Sequence, residues 1–264
     1  NSTRTIIPGS ALARWQNCGP SVRLRVNLQG PYDGTANLMR DDLRALGLVP
    51  TAEPYQAMGF PMVGGGGEST TTARLAQTGK NAVVDWVRVE LRNKNNPAQV
   101  LATRSALLER DGDIVGTDGY ARLIFNVASD NYFVAVRHRN HLGAMSLGSI
   151  ALGANEAGVD FTLGTTPTYG TDARVAFANG KRGLWCGHVQ RDTRLRYTGQ
   201  DNDRDPILTL IGGSVPTNFI TGYHAADVTL DGVVRYIGQG NDRDPILVNI
   251  GGSVPTNFRI EQLP

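Results

Sequence analysis

The chain has little excess charge, no long apolar run and few cysteines. Its 26 basic and 24 acidic side chains nearly cancel, so no overall field favours nucleic acid or a membrane surface. No stretch approaches the ~20 apolar residues of a membrane-spanning helix. We therefore expect neither nucleic-acid binding nor membrane insertion.

Motifs of catalysis are also missing. The sequence has no GxSxG nucleophile elbow and no HExxH zinc motif. The glycine run 64–67 is followed by Glu68, where a phosphate loop needs lysine and then Ser or Thr. Glu109, Asp111 and Asp113 are close carboxylates, but they flank an Arg-Asp-Gly-Asp segment that is typical of a turn. We therefore predict a protein that is not an enzyme.

The two cysteines are Cys18 and Cys186. In an oxidising compartment a disulfide between them could tie the N-terminal segment to the start of the C-terminal region. The alternative is two unrelated buried thiols. Residues 1–20 are polar and contain prolines and glycines, so we interpret them as an N-terminal arm.

What the chain has in abundance is glycine, 32 of 264 residues, with many turn-forming side chains between apolar segments. This composition is typical of strands joined by tight turns. Strands are predicted over residues 82–92, 100–110, 122–127, 132–139, 150–152 and 159–163. We predict a mostly β protein, with an antiparallel, jelly-roll-like β-sandwich over residues 21–183.

The C-terminal region, residues 184–264, contains an internal repeat. Residues 187–219 and 226–258 align at an offset of 39, and 22 of the 33 aligned positions are identical. Such a repeat usually marks a duplicated supersecondary unit, here 187–225 and 226–264. In each unit an Asp-Pro pair and a short apolar run predict a loop followed by a helix.

The second unit has the residues of a calcium loop. Calcium binds several oxygen atoms in a loop that turns sharply, commonly at a glycine, and Gly232 supplies that turn. Asp242 lies where it could close the site, and Asp244 is either a further ligand or a helix cap. The expected ligands are Asp227, Thr229, Asp231, the carbonyl group of Val233, Asp242 and Asp244.

The first unit lacks the acidic front of this loop. His188 and Gln190 occupy the positions of Asp227 and Thr229, whereas the acidic back half is retained. We expect a weaker site, a site with other ligands, or no metal. The candidate ligands are Gln190, Asp192, Asp203 and Asp205.

A dense polar segment, residues 137–141, contains two histidines and two arginines. Together with Asp85 or Glu90 of another strand, it could form a pocket for a ligand or glycan. The alternative is a network of ion pairs within the sheet.

The pattern DxxxDGxV, at the start of the second unit, resembles the dockerin repeat. The longer phrase DGxVxYxGxxNDRDPILxxIGGxVPT is similar to C-terminal repeats of large secreted proteins of Bacteroidota. The upstream segments VNLQGPYDG, LRALGLVPTAEPY, VVDWVRVELRN, ATRSALLERDGDIV and VAVRHRNHLG resemble the module that precedes those repeats. This resemblance implies a secreted or cell-surface location, calcium, and no catalytic residues.

These features favour a non-catalytic, extracellular, calcium-stabilised structural or adhesion module. Its partners would be other copies of itself or surface proteins. Two alternatives remain open: a self-assembling subunit of an extracellular filament or surface layer, and an ancillary glycan-binding module of a secreted hydrolase.

Overall fold

The computed structural model describes residues 19–153, 155 and 157–264. The helices are α1 (Asp42–Ala45), α2 (Thr72–Leu75), α3 (Asp205–Leu210) and α4 (Asp244–Asn249), with a 3₁₀ turn at Gly79–Asn81. The strands are β1 (Ser21–Arg25), β2 (Tyr32–Asp33), β3 (Leu38–Met39), β4 (Val83–Asn93), β5 (Asn96–Glu109), β6 (Asp113–Val115), β7 (Leu123–Ile124), β8 (Asp130–His138), β9 (His141–Met145), β10 (Ile150–Leu152), β11 (Ala157–Asp160), β12 (Val175–Ala176), β13 (Arg182–Gly183), β14 (Arg194–Arg196), β15 (Phe219–Thr221), β16 (Val233–Arg235) and β17 (Phe258–Ile260).

One large sheet organises the N-terminal two thirds of the chain. Its order is β10-β8-β4-β5-β6-β1-β11, with β7 also paired to β1 and β9 to β8. The long hairpin of β4 and β5 forms its centre, because both strands combine β-branched residues with buried apolar positions. Among the described strands of this sheet, only β1 and β11 pair in parallel; the other pairings are antiparallel.

The structure confirms the predicted class, since strand residues outnumber helical residues by 35% to 9% and the main sheet is largely antiparallel. The strand predicted over 82–92 is observed at Val83–Asn93, and that over 150–152 at Ile150–Leu152. The jelly-roll sandwich and the proposed domain boundary near residue 183 stay predictions.

The described residues form two buried apolar clusters, and each cluster includes a residue from the other's region of the chain. The larger one lies on the sheet but includes Leu230 of the second repeat. The smaller one lies within the C-terminal region but includes Leu142 of β9. Gly30 approaches the second repeat so closely that a Cβ there would lie 2.2 Å from the Val228 carbonyl oxygen. The repeats therefore pack directly against the sheet.

The two repeats exchange strand partners. The front strand of the first repeat, β14, pairs with the last strand of the second, β17. The last strand of the first repeat, β15, pairs with the front strand of the second, β16. Each repeat also contains a six-residue helix, α3 or α4. The duplicated units thus complete each other across two short antiparallel ladders.

Within the described ranges, no helix is long and apolar enough to cross a membrane.

Candidate functional site: the duplicated acidic loops

Asp227 closes the front loop of the second repeat. Its carboxylate accepts hydrogen bonds from the backbone N–H groups of Asp231 (3.2 Å) and Gly232 (2.9 Å). Gly232 has φ +84°, a conformation that glycine adopts at little cost. A Cβ there would lie 2.7 Å from Leu46. The sharp turn predicted at Gly232 is therefore present.

Asp242 returns to the same loop from the segment before α4. Its carboxylate accepts hydrogen bonds from the backbone N–H groups of Val228 (2.7 Å), Thr229 (3.1 Å) and Arg235 (2.8 Å). The Thr229 hydroxyl lies between two acids, 3.4 Å from Asp227 Oδ1 and 3.3 Å from Asp242 Oδ1. The structure thus brings together three residues that the sequence assigned to one site.

The two carboxylates are buried with little positive charge to balance them. Asp227 and Asp242 are both fully buried. Burial raises the pKa of Asp227 to about 6, although the charge of Arg139 opposes the shift. Burial and then the neighbouring charge of Asp227 raise the pKa of Asp242 to about 7. A cation between them would favour the ionised forms.

The remaining expected ligands of the second repeat have other partners. Asp231 accepts a hydrogen bond from the Val233 N–H (2.8 Å) and forms an ion pair with Arg235 (2.8 Å). The three carboxylates at 227, 231 and 242 do not come within 4.8 Å of one another. A metal at this loop would therefore require Asp231 to turn away from Arg235.

Asp244 is the first residue of α4, but its side chain does not cap the helix. Its oxygens instead accept from Asn241 (2.8 Å) and from Arg243 (2.8 Å). The Asn241 side chain accepts the Asp244 N–H (2.9 Å), as an N-terminal cap does. Of the two roles left open for Asp244, the helix cap is not observed, because the Asn241 side chain accepts the hydrogen bond at the helix start.

The first repeat has the same back half and a different front. Asp203, also fully buried, accepts from the N–H groups of Gln190 (2.9 Å) and Arg196 (2.8 Å). Burial raises its pKa to about 6. Asp205 pairs with Asn202 (2.8 Å) and Arg204 (3.0 Å), as Asp244 pairs with Asn241 and Arg243.

His188 occupies the position of Asp227 in this first loop. Its Nε2 atom lies 3.6 Å from Asp192 Oδ1, and Asp192 also forms an ion pair with Arg196 (2.7 Å). The Gln190 side chain is exposed. This loop therefore has one buried acid, Asp203, where the second repeat has two, and the buried His188 side chain takes the place of the other acid.

A different acidic group lies on the β5–β6 hairpin. Glu109, Asp111 and Asp113 each offer an oxygen within 4.8 Å of the others, so they could hold a metal ion. Glu109 is already paired with Arg74, and Asp113 with Arg25 (2.7 Å). Asp111 accepts the Asp113 N–H (3.2 Å), which fits the turn predicted here.

Within the polar segment 137–141, His138 and Arg139 form a buried network with Asp85, as in the second predicted alternative, whereas Arg137 and Glu90 line a cleft. Asp85 accepts from His138 (3.1 Å), Arg139 (2.9 Å) and the Tyr223 hydroxyl (2.5 Å). Burial alone would raise its pKa, but the Arg139 charge and these hydrogen bonds lower it to about 2. Glu90, the other candidate partner, pairs with Arg88 and Arg92 instead.

This network anchors the junction between the two repeats, residues 223–227, to the sheet. Arg139 donates to the His224 carbonyl oxygen, and Asn140 donates to the carbonyl oxygens of Ala225 (2.9 Å) and Asp227 (2.6 Å). The sequence pattern did not reveal Tyr223 as a member, because nothing local links it to Asp85, 138 positions away.

Cys186 is buried, and burial raises the pKa of its thiol to about 12. The Asn249 amide lies 3.4 Å from its sulfur. Cys18 and residues 1–18 of the expected arm lie outside the described residues, so the predicted disulfide is not tested.

No protein-family model, curated protein or solved structure matches the chain. The resemblance to dockerin repeats and to the Bacteroidota module therefore stays an expectation.

Proposed function

We propose that the chain is a non-catalytic, extracellular structural or adhesion module whose second repeat is stabilised by calcium. The sheet region, as an antiparallel sandwich, would carry two tandem loop–helix repeats. The observation that carries this proposal is the buried carboxylate pair of Asp227 and Asp242, bridged by the Thr229 hydroxyl.

Calcium suits this pair for an electrostatic reason. Without metal, the two carboxylates face neutral N–H groups, and burial raises the pKa of both. A bound divalent cation supplies the positive charge that these groups lack. Asp227, Asp242, the Thr229 hydroxyl and the Val233 carbonyl would hold the ion, with Asp231 once released from Arg235. Such an all-oxygen set favours a hard cation over zinc or copper.

The extracellular location follows from the same argument. Calcium modules outside the cell work with dissociation constants of about 10⁻⁴–10⁻³ M. A loop whose aspartates already accept several backbone hydrogen bonds has to rearrange on binding, which lowers its affinity. Such a loop would be filled only where calcium is abundant.

Calcium titration of the full chain after EDTA dialysis tests this proposal. We expect saturable binding by calorimetry and a gain in unfolding free energy of about 2.7 kcal/mol at a calcium concentration 100 times the dissociation constant. Asp242→Asn should abolish the gain. The matched variant in the first repeat, Asp203→Asn, should retain it.

Two results would contradict the proposal. One is an identical melting temperature in EDTA and in saturating calcium. The other is loss of calcium binding in Asp203→Asn but not in Asp242→Asn, which would move the ion to the first repeat.

A further inference from the structure

A cleft of about 500 Å³ lies between the sheet and the first repeat. Arginines from three parts of the chain line it: Arg88 and Arg92 from β4, Arg137 from β8, and Arg191 from the first repeat. Among the described side chains of its wall, Glu90 alone is acidic. The cleft is therefore a concentrated positive site in a chain whose net charge is only +2.

The acids nearby do not balance these arginines. Each carboxylate oxygen of Glu90 forms an ion pair with one arginine, Oε1 with Arg88 and Oε2 with Arg92. Arg92 also donates to the backbone oxygen of Pro264 (3.1 Å), and Arg137 pairs with Glu261 (2.8 Å). Two carboxylate side chains and the oxygen of Pro264, the last residue of the sequence, thus face four guanidinium groups, so arginines outnumber the acidic partners of the cleft.

Arg88 is a buried arginine of this wall, and its terminal nitrogens donate to Glu90 and to the Pro61 carbonyl oxygen. It is 1% exposed, and its Nε atom has no hydrogen-bond partner among the described residues. Buried polar groups nearly always have such a partner. Burial lowers the pKa of Arg88, and the charge of Arg137 lowers it further, although Glu90 opposes both. An anion in the cleft would offset these costs.

The two repeats differ at the position that reaches this cleft. Arg191 and its counterpart Leu230 share a left-handed backbone, with φ 59° and 57°. Leu230 is buried in the apolar cluster of the sheet. Arg191 is exposed, donates to the Met58 carbonyl oxygen and lies 5.4 Å from the ring centroid of Phe60. The first repeat therefore brings a charge to the cleft where the second inserts an apolar side chain.

We propose that this cleft binds an oxyanion: a carboxylate, sulfate or phosphate group carried by a ligand of sugar or small-metabolite size. Planar guanidinium groups match these oxyanions in charge and in hydrogen-bond geometry. The volume lies within the range of small-molecule sites. Phe60, Pro61 and Val100 supply an apolar wall for the body of the ligand.

Calorimetric titration of the full chain at constant ionic strength, after calcium has been removed with EDTA and the EDTA dialysed away, tests this site. The probes are sulfate, inorganic phosphate and glucuronate, with glucose as the uncharged match of glucuronate. We expect saturable binding of at least one oxyanion and none of glucose, and the preferred probe distinguishes the three groups. Removing one charge-assisted contact by Arg191→Gln should weaken binding about tenfold or more.

The matched control is Arg194→Gln, which removes an equal charge from an exposed residue of the same repeat that does not line the cleft. It should leave the affinity unchanged. Both sites are exposed, so both variants should melt like the unsubstituted chain. Absence of saturable binding by every charged probe would overturn the proposal. So would equal weakening by the two variants, which would mean diffuse surface attraction, or binding of glucose as tight as that of glucuronate.

Discussion

The two repeats share a frame and differ in the chemistry placed on it. In both, a buried aspartate, Asp203 or Asp242, accepts the backbone N–H group of the aligned arginine, Arg196 or Arg235, at 2.8 Å. In both, a helix of six residues follows. The back halves therefore make the same backbone hydrogen bond in both repeats.

The front loops of the two repeats differ in their acidic, basic and apolar side chains. The second repeat adds a second buried acid, Asp227, and inserts Leu230 into the sheet cluster. The first repeat has His188 in the place of that acid and turns Arg191 towards the arginine-lined cleft. We infer that one copy is suited to a cation and the other contributes to an anion site.

The largest expected effect comes from breaking the buried network that holds residues 223–227 on the sheet. Asp85→Ala leaves the buried Arg139 without its acid and should cost about 3–5 kcal/mol of unfolding free energy. Hydrogen exchange should rise more at residues 222–233 than at 188–196. Tyr223→Phe, which removes one hydrogen bond to Asp85, should give the same pattern more weakly.

Asp130→Asn is the matched control, because Asp130 forms an exposed ion pair with Lys94. It should leave both stability and exchange unchanged. Equal exchange in the two repeats of Tyr223→Phe would show that the anchor is not selective.

The second largest effect is expected in the pH dependence of the unfolding free energy of the metal-free protein. Asp242 has a folded pKa of about 7, above the ~3.9 of an unfolded aspartate. Its stabilising contribution is therefore complete below pH ~4 and is lost as the pH rises towards 7, by an amount on the order of 3 kcal/mol. Asp85, whose pKa is lowered to about 2, changes only at lower pH.

Urea unfolding at pH 5 and pH 7.5 in EDTA checks this expectation. The difference in unfolding free energy between Asp242→Asn and the unsubstituted chain should shift in favour of the variant as the pH rises. Groups that do not interact with Asp242 contribute equally to both proteins and cancel, whereas Asp227 titrates together with Asp242 and is part of the measured difference. If the difference in unfolding free energy did not vary with pH, burial would not raise the pKa of the Asp242 carboxylate.

A further prediction concerns a variant in which two front-loop residues of the second repeat replace their counterparts in the first repeat. His188→Asp with Thr193→Gly restores the missing acid and the glycine turn. We expect calcium stoichiometry by calorimetry to rise from one to two, with the second site weaker because Gln190 and Arg191 remain. Unchanged stoichiometry would mean that the backbone of the first loop, and not its side chains, prevents binding.

The smallest effect is expected at the helix starts. Asp205 and Asp244 are 57% and 53% exposed and pair with neighbouring arginines. Replacing either by Asn should change the unfolding free energy by less than about 0.5 kcal/mol. If Asp244→Asn alone weakened calcium binding, Asp244 would be a ligand after all.

Local patterns determined part of this protein in advance. The duplication, the mostly β class and the turn at Gly232 were readable because periodicity and turn chemistry act over a few residues. The proximity of Asp242 to Asp227 was also predicted, since Asp242 follows the front loop within the same short repeat. The ion pair between Asp231 and Arg235 was not predicted, because the spacing of residues along the chain does not determine their side-chain rotamers.

Only the tertiary structure decided the contacts between distant segments. Asp85 meets Arg139 and Tyr223, and Arg191 reaches Phe60, because the repeats pack on the sheet in one orientation. Such contacts depend on the relative placement of whole elements, which no local pattern encodes. The sequence by itself determined the repeated frame and its acidic residues, whereas packing decided which acids are anchors, which could meet a cation, and where the arginines converge.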